Sequence, residues 1–117
     1  MRILYVEDNA LVREVTAELL SGHGRKIVAL STAEDALEAF RSNCYDLVIT
    51  DVSLPVMSGM ELTRTLLRDN PALPIIIASG YSLDIGVENW GRNVRAIIKP
   101  FEADEINGLI AELSKPG

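Results

Sequence analysis

Short apolar runs of strand length recur along the chain at Ile3 to Val6, Lys26 to Leu30, Leu47 to Thr50, Ile75 to Ala78 and Val94 to Ile98. Between them the apolar residues fall at helical spacing: Val12, Val15 and Leu19, then Ala33, Ala36, Leu37 and Phe40. Leu62, Leu66 and Leu67 continue the pattern, as do Ile106, Leu109, Ile110 and Leu113. These spacings predict amphipathic helices. Asn9 and Thr32 are placed to cap the first two, Gly22 to Gly24 to end the first, and Pro71 and Pro74 to close the third. The fourth stretch, Leu83 to Gly91, carries Gly86 and Gly91 and only scattered apolar residues, among them Trp90, which predicts a short or mobile helix. Strands that are apolar throughout and alternate with helices call for a parallel sheet covered on both faces, here five βα units.

Composition narrows the class. A chain of 117 residues is long enough for one core and hardly two, so a single domain over residues 1–117 is expected, with Lys115 to Gly117 as a frayed end. With 48% apolar and 24% charged residues it has the balance of a folded domain and not of a disordered tail. Seventeen acidic against eleven basic side chains give a net charge of −6, and no Lys/Arg run could neutralise a row of phosphates, which argues against direct nucleic-acid binding. The lone Cys44 permits no internal disulfide and is expected as a small buried hydrophobe. His23, between two glycines, reads as a solvated turn residue. The N-terminus shows no cleavable signal pattern and the apolar runs are too short to cross a bilayer, so a cytoplasmic protein is expected.

The chemistry gathers where the strands end. In an open parallel α/β sheet the functional crevice lies beyond the carboxyl ends of the strands. Glu7 and Asp8 end the first run, Asp51 the third, Ser79 the fourth and Lys99 the fifth. Three carboxylates at one edge repel one another and raise their own pKa values unless a cation sits among them. Oxygen ligands favour a hard ion. Mg²⁺ suits such a site because it binds through one or two carboxylates, keeps several waters and takes further oxygens from a phosphate; Mn²⁺ is the alternative. Lys99 adds a mobile positive charge and Ser79 a hydroxyl donor. A carboxylate nucleophile, a divalent ion, a lysine and a hydroxyl together suffice for in-line phosphoryl transfer, with Asp51 as the nucleophile.

Four motifs in order carry a resemblance: Val6-Glu7-Asp8-Asn9, Thr50-Asp51 with Pro55 and Gly59 following, Ala78-Ser79-Gly80, and Lys99-Pro100-Phe101. On these the chain resembles, over essentially its whole length, the receiver domain of bacterial two-component response regulators. The resemblance implies a flavodoxin-like fold, a three-layer α/β sandwich with parallel strand order 2-1-3-4-5. It implies that Asp8, Asp51 and the backbone carbonyl of Ser53 contact Mg²⁺, with Glu7 acting through a water. It implies that Ser79, Gly80 and Lys99 surround the phosphoryl group and that the Lys99-Pro100 bond is cis. It further implies a histidine kinase or histidine phosphotransfer protein as phosphodonor, a downstream protein as target, and self-directed chemistry in place of turnover as an enzyme.

Two positions depart from the family pattern. Glu7 stands where many members carry Asp, and Ala96 stands where the family commonly has an aromatic that swings inward on activation. Tyr81 is a candidate to take part of that role, its alternative being a ring that lies over the site entrance, and Trp90 reads first as a core or rim packing residue and second as an anchor for a partner. The loss of the aromatic at Ala96 keeps a second reading open, a pseudo-receiver that binds its partner constitutively. A haloacid-dehalogenase-like phosphatase ranks last, because that family wants a second Asp where Ser53 stands.

Overall fold

The computed structural model describes residues 1–80 and 90–114. The chain alternates β1 (Arg2–Val6), α1 (Ala10–Leu20), β2 (Lys26–Leu30), α2 (Ala33–Ser42), β3 (Leu47–Asp51), α3 (Gly59–Asp69), β4 (Ile75–Ser79), β5 (Val94–Ile98) and α4 (Ala103–Leu113). The expected fourth helix falls, up to residue 89, outside the described residues, as do Tyr81 and the last three residues.

The five strands form one parallel sheet in the order β2-β1-β3-β4-β5, the flavodoxin-like order. Period-two alternation divides their side chains between two cores. Leu4, Val6, Val48, Ile75 and Ile77 pack on one face beneath Ala36 and Leu37 of α2 and Leu62 and Leu66 of α3. Ile3, Tyr5, Leu47, Ile49 and Ile76 pack on the other beneath Leu20 of α1 and Ile106 and Ile110 of α4.

Capping follows the sequence signals. Asn9 Oδ1 accepts from the Val12 amide at 3.0 Å, and Thr32 Oγ1 accepts from the Asp35 amide at 3.1 Å. Ser58, which was not singled out, caps α3 through the Glu61 amide at 3.2 Å. Beyond α1 the chain turns through Gly22, His23 and Gly24, all at positive φ, and His23 is exposed.

Two expectations are corrected. Cys44 is exposed, because it lies in the short connection beyond the Asn43 cap and not on a packed face. The apolar stripe of α1 does not face the sheet: Leu11, Val12, Val15 and Leu19 are exposed, while Arg13, Thr16, Ala17 and Leu20 form the inward stripe.

Candidate functional site

The sheet order puts β1 beside β3, with Val6 in register with Thr50, so the residues that follow meet at one edge. Glu7 is pulled into that edge and is only 2% exposed; its amide still donates to Leu30 O of β2 at 3.0 Å. Asp51, the last residue of β3, is 7% exposed, whereas Asp8 lies open to solvent. Carboxylate oxygens of Glu7, Asp8 and Asp51 lie within 4.8 Å of one another, the one such acidic cluster among the described residues.

Lys99 reaches this cluster from the end of β5. Its Nζ donates to Asp51 Oδ2 at 2.9 Å and to Glu7 Oε1 at 3.0 Å. Glu7 Oε2 accepts from the Asn9 amide at 3.3 Å, and Asp51 Oδ1 from the Ser53 amide at 3.3 Å. The longer stem of Glu7 thus spans from the start of α1 to the lysine. The Lys99-Pro100 bond is cis, and the Lys99 amide donates to Ser79 O at 2.6 Å, tying the ends of β4 and β5 together.

Burial pushes the Glu7 carboxyl above the usual carboxylate range, and the Asp51 charge adds to this, against the opposing hydrogen bonds from Lys99 and Asn9. For Lys99, burial works to lower the pKa, but the hydrogen bonds and charges of Asp51 and Glu7 outweigh it and hold the ammonium above its ordinary value. Tyr5, buried on β1 beneath α1, is raised by desolvation despite a hydrogen bond with Thr16. Three carboxylates facing one ammonium make a place that favours a further cation, and their oxygens fit Mg²⁺. Such a site suits chemistry on a phosphate, where charge neutralisation and positioning do most of the work.

The loop from Asp51 to α3 is held against the Asp51 backbone. A Cβ on Gly59 would overlap the Asp51 carbonyl, so only glycine lets the start of α3 approach this closely. Thr63 Oγ1 donates to Gly59 O at 2.8 Å, Thr50 Oγ1 to Asp51 O at 3.0 Å, and the Gly59 amide to Val52 O at 3.0 Å. Val56 pays for this turn with a φ of 67° and stands 93% exposed.

The other expected site residues fall as follows. Ser79 is buried at the end of β4, and a Cβ on Gly80 would meet nothing within 4 Å. Ser53 is exposed on the loop after Asp51. Ala96 is exposed on β5. Trp90 is half-buried against the core of α2 and α3, with the Arg64 guanidinium 4.6 Å from its ring centre.

Sequence reasoning passed over two features. Arg13 donates from Nη1 to Glu7 O at 2.8 Å, a role that nothing in its position four residues after a cap announces. The outward stripe of α1 borders a groove of about 540 Å³ lined by Leu11, Val12, Val15, Leu19, Pro100 and Phe101 and reaching Lys99.

With this geometry in place, the comparisons with known proteins agree. The model of the response regulator receiver domain matches residues 3–111. The response regulator protein FleR of Pseudomonas aeruginosa is 33% identical over 94% of this chain and 24% of its own length. The transcriptional regulatory protein DltR of Streptococcus agalactiae is 32% identical over 91% of this chain and 48% of its own. The chain thus spans a quarter to a half of the length of these curated relatives. Among solved structures, the response regulator TrrA of Thermotoga maritima, in complex with Mg²⁺ and BeF, superposes with a TM-score of 0.86 at 31% identity over 96% of this chain and 97% of that one.

The chain belongs to the response regulator receiver domain family of two-component systems. A receiver domain is a phosphoacceptor module rather than a true enzyme. The acidic pocket of Glu7, Asp8 and Asp51 is typical of the phosphoacceptor site in that family. Among the described residues no helix is long and apolar enough to cross a membrane.

Proposed function

We propose that Asp51 is the phosphoacceptor and that it takes its phosphoryl group from a phosphohistidine on a partner histidine kinase or histidine phosphotransfer protein. A carboxylate oxygen of Asp51 attacks phosphorus, the P–N bond to the donor imidazole breaks as a P–O bond forms, and the ring leaves as neutral imidazole, its electron pair returned to the nitrogen that held phosphorus and its proton the one already on the other ring nitrogen. The observation that carries this reading is Lys99 bonded at once to Asp51 and Glu7 in a cluster of three carboxylates. Asp8, Asp51 and the Ser53 carbonyl would hold Mg²⁺, with Glu7 reaching it through a water. When bound, the ion supplies charge neutralisation for the transferring group. Ser79, Gly80 and Lys99 would accommodate the phosphoryl oxygens.

The groove beside α1 supports the choice of donor. It is apolar, borders the site at Lys99, and would seat a helix of the partner so that its phosphohistidine faces Asp51. The reading takes residues 1–117 as one receiver unit working in the cytoplasm without direct nucleic-acid contact. Phosphorylation would then bias two conformations of the face around Ser79, Tyr81, Trp90 and Ala96 toward a downstream protein.

Intact-mass measurement after incubation with acetyl phosphate and Mg²⁺ tests the reading. One phosphoryl adduct is expected on the native chain and none on Asp51→Asn. An adduct that persists in Asp51→Asn would refute it. A native chain without adduct that nevertheless binds its partner would favour the constitutive module to which Ala96 points.

A further inference from the structure

We propose that Arg13 is a positioning residue whose guanidinium clamps the backbone that presents Glu7 and Asp8, and so sets the geometry in which the acidic cluster takes a divalent cation. The proposal rests on the reading of that cluster as a cation site. Strand β1 ends at Val6, and the turn that follows carries both acids before α1 begins at Ala10. Arg13 Nη1 donates to Glu7 O at 2.8 Å and lies 3.5 Å from Asp8 O, so one nitrogen spans the successive carbonyls of the two acidic residues. From the same helix start, the Asn9 amide donates to Glu7 Oε2 at 3.3 Å while the Asn9 side chain caps the helix at Val12. Residues 7 to 9 are therefore tied to the first turns of α1 through Arg13 and Asn9. Asp8 is exposed and its carboxylate still belongs to the cluster, which makes the backbone beneath it the means of aiming it.

Charge alone argues for a different residue here. A cation close to the first turn of a helix opposes the macrodipole, and a positive charge beside a cation site repels the ion. Arg13 is half-buried in the inward stripe of α1, where its fork meets carbonyls and not carboxylates. The two roles differ in sign. If Arg13 acts as a charge, its removal tightens Mg²⁺ binding; if it acts as a clamp, its removal weakens binding.

The test is Mg²⁺ titration of the full chain, by calorimetry and by the amide NMR shifts of Glu7, Asp8 and Asn9, for the native protein, Arg13→Ala, Arg13→Gln and Arg13→Lys. Supporting contacts around a metal site typically carry 10–100-fold in affinity, so Arg13→Ala should bind about ten-fold more weakly. Arg13→Lys, which keeps a donor and the charge, should recover part of the loss, with Arg13→Gln between. Mg²⁺ affinity in Arg13→Ala equal to or tighter than native would overturn the proposal; should Arg13→Ala fail to fold, native affinity in Arg13→Gln would do so. A native chain that binds no Mg²⁺ at millimolar concentration would bring down the cation-site reading itself and the proposal with it.

Discussion

Helices α1 and α3 are each eleven residues long and each begins at a side-chain cap, yet they use their apolar residues in opposite ways. Helix α3 turns Leu62, Leu66 and Leu67 into the core, with Thr63 beside them. Helix α1 buries only Leu20 and leaves Leu11 and Val15 more than half exposed, with Val12 and Leu19 each 37% exposed. A single exposed aliphatic needs no explanation, but four on one helix bordering a groove that reaches Lys99 do. The fold is held by one helix and the partner, on our reading, is met by the other.

The largest effect expected from this contrast is on stability. Leu66→Ala should cost about 3 kcal/mol in chemical denaturation, as buried leucine truncations do, while Val15→Ala should stay within about 0.5 kcal/mol. Equal losses at the two positions would break the comparison. Next, Leu11→Asp together with Val15→Asp should slow phosphotransfer from an autophosphorylated histidine kinase at least about ten-fold, which is about 1.4 kcal/mol of barrier. The same double variant should react with acetyl phosphate at the native rate. If both donors slow alike, α1 acts on the chemistry and not on docking.

A smaller gain is expected in the loop after Asp51. Val56 sits at a φ of 67°, where a β-branched side chain is penalised and Asn is tolerated. Val56→Asn should stabilise the domain by about 1 kcal/mol and raise Tm by about 4 °C. An unchanged Tm would show that the loop carries no such strain.

The smallest effect is the pH dependence of the cluster. Lys99 has a folded pKa above its unfolded value, so its contribution is fully present below the ordinary lysine range and is lost as pH rises through the raised value. Glu7 is also raised, so its contribution is greatest below the ordinary carboxylate range and fades as pH climbs through its folded value. Thermal unfolding followed against pH should therefore show an alkaline loss of stability that Lys99→Met flattens. The same alkaline slope in Lys99→Met would assign it to other groups.

Much of this was legible because it is local. Asn9 and Thr32 cap helices through bonds that span three residues, and a polar residue directly after an apolar run marks a strand end. That rule found Glu7, Asp8, Asp51 and Lys99, and parallel topology then brings them together. What was not legible depends on a choice between neighbouring surfaces. Helical periodicity shows that α1 has an apolar stripe, but the adjacent stripe of Thr16, Ala17 and Leu20 is the more buried one. The contact of Arg13 leaves no sequence signal, because its partners are backbone carbonyls that no residue type advertises. Cys44 was expected inside on composition alone, and the short loop beyond Asn43 keeps it outside.

The central claim is that the phosphoryl group rides on the Asp51 carboxylate. An aspartyl phosphate is an acyl phosphate, and borohydride reduces it to homoserine at the position that carried it. The native chain, treated with acetyl phosphate and Mg²⁺, reduced and digested, should yield a peptide with homoserine at position 51 by tandem mass spectrometry, and none when EDTA replaces the metal. Homoserine at Asp8 or elsewhere with position 51 intact would contradict the account.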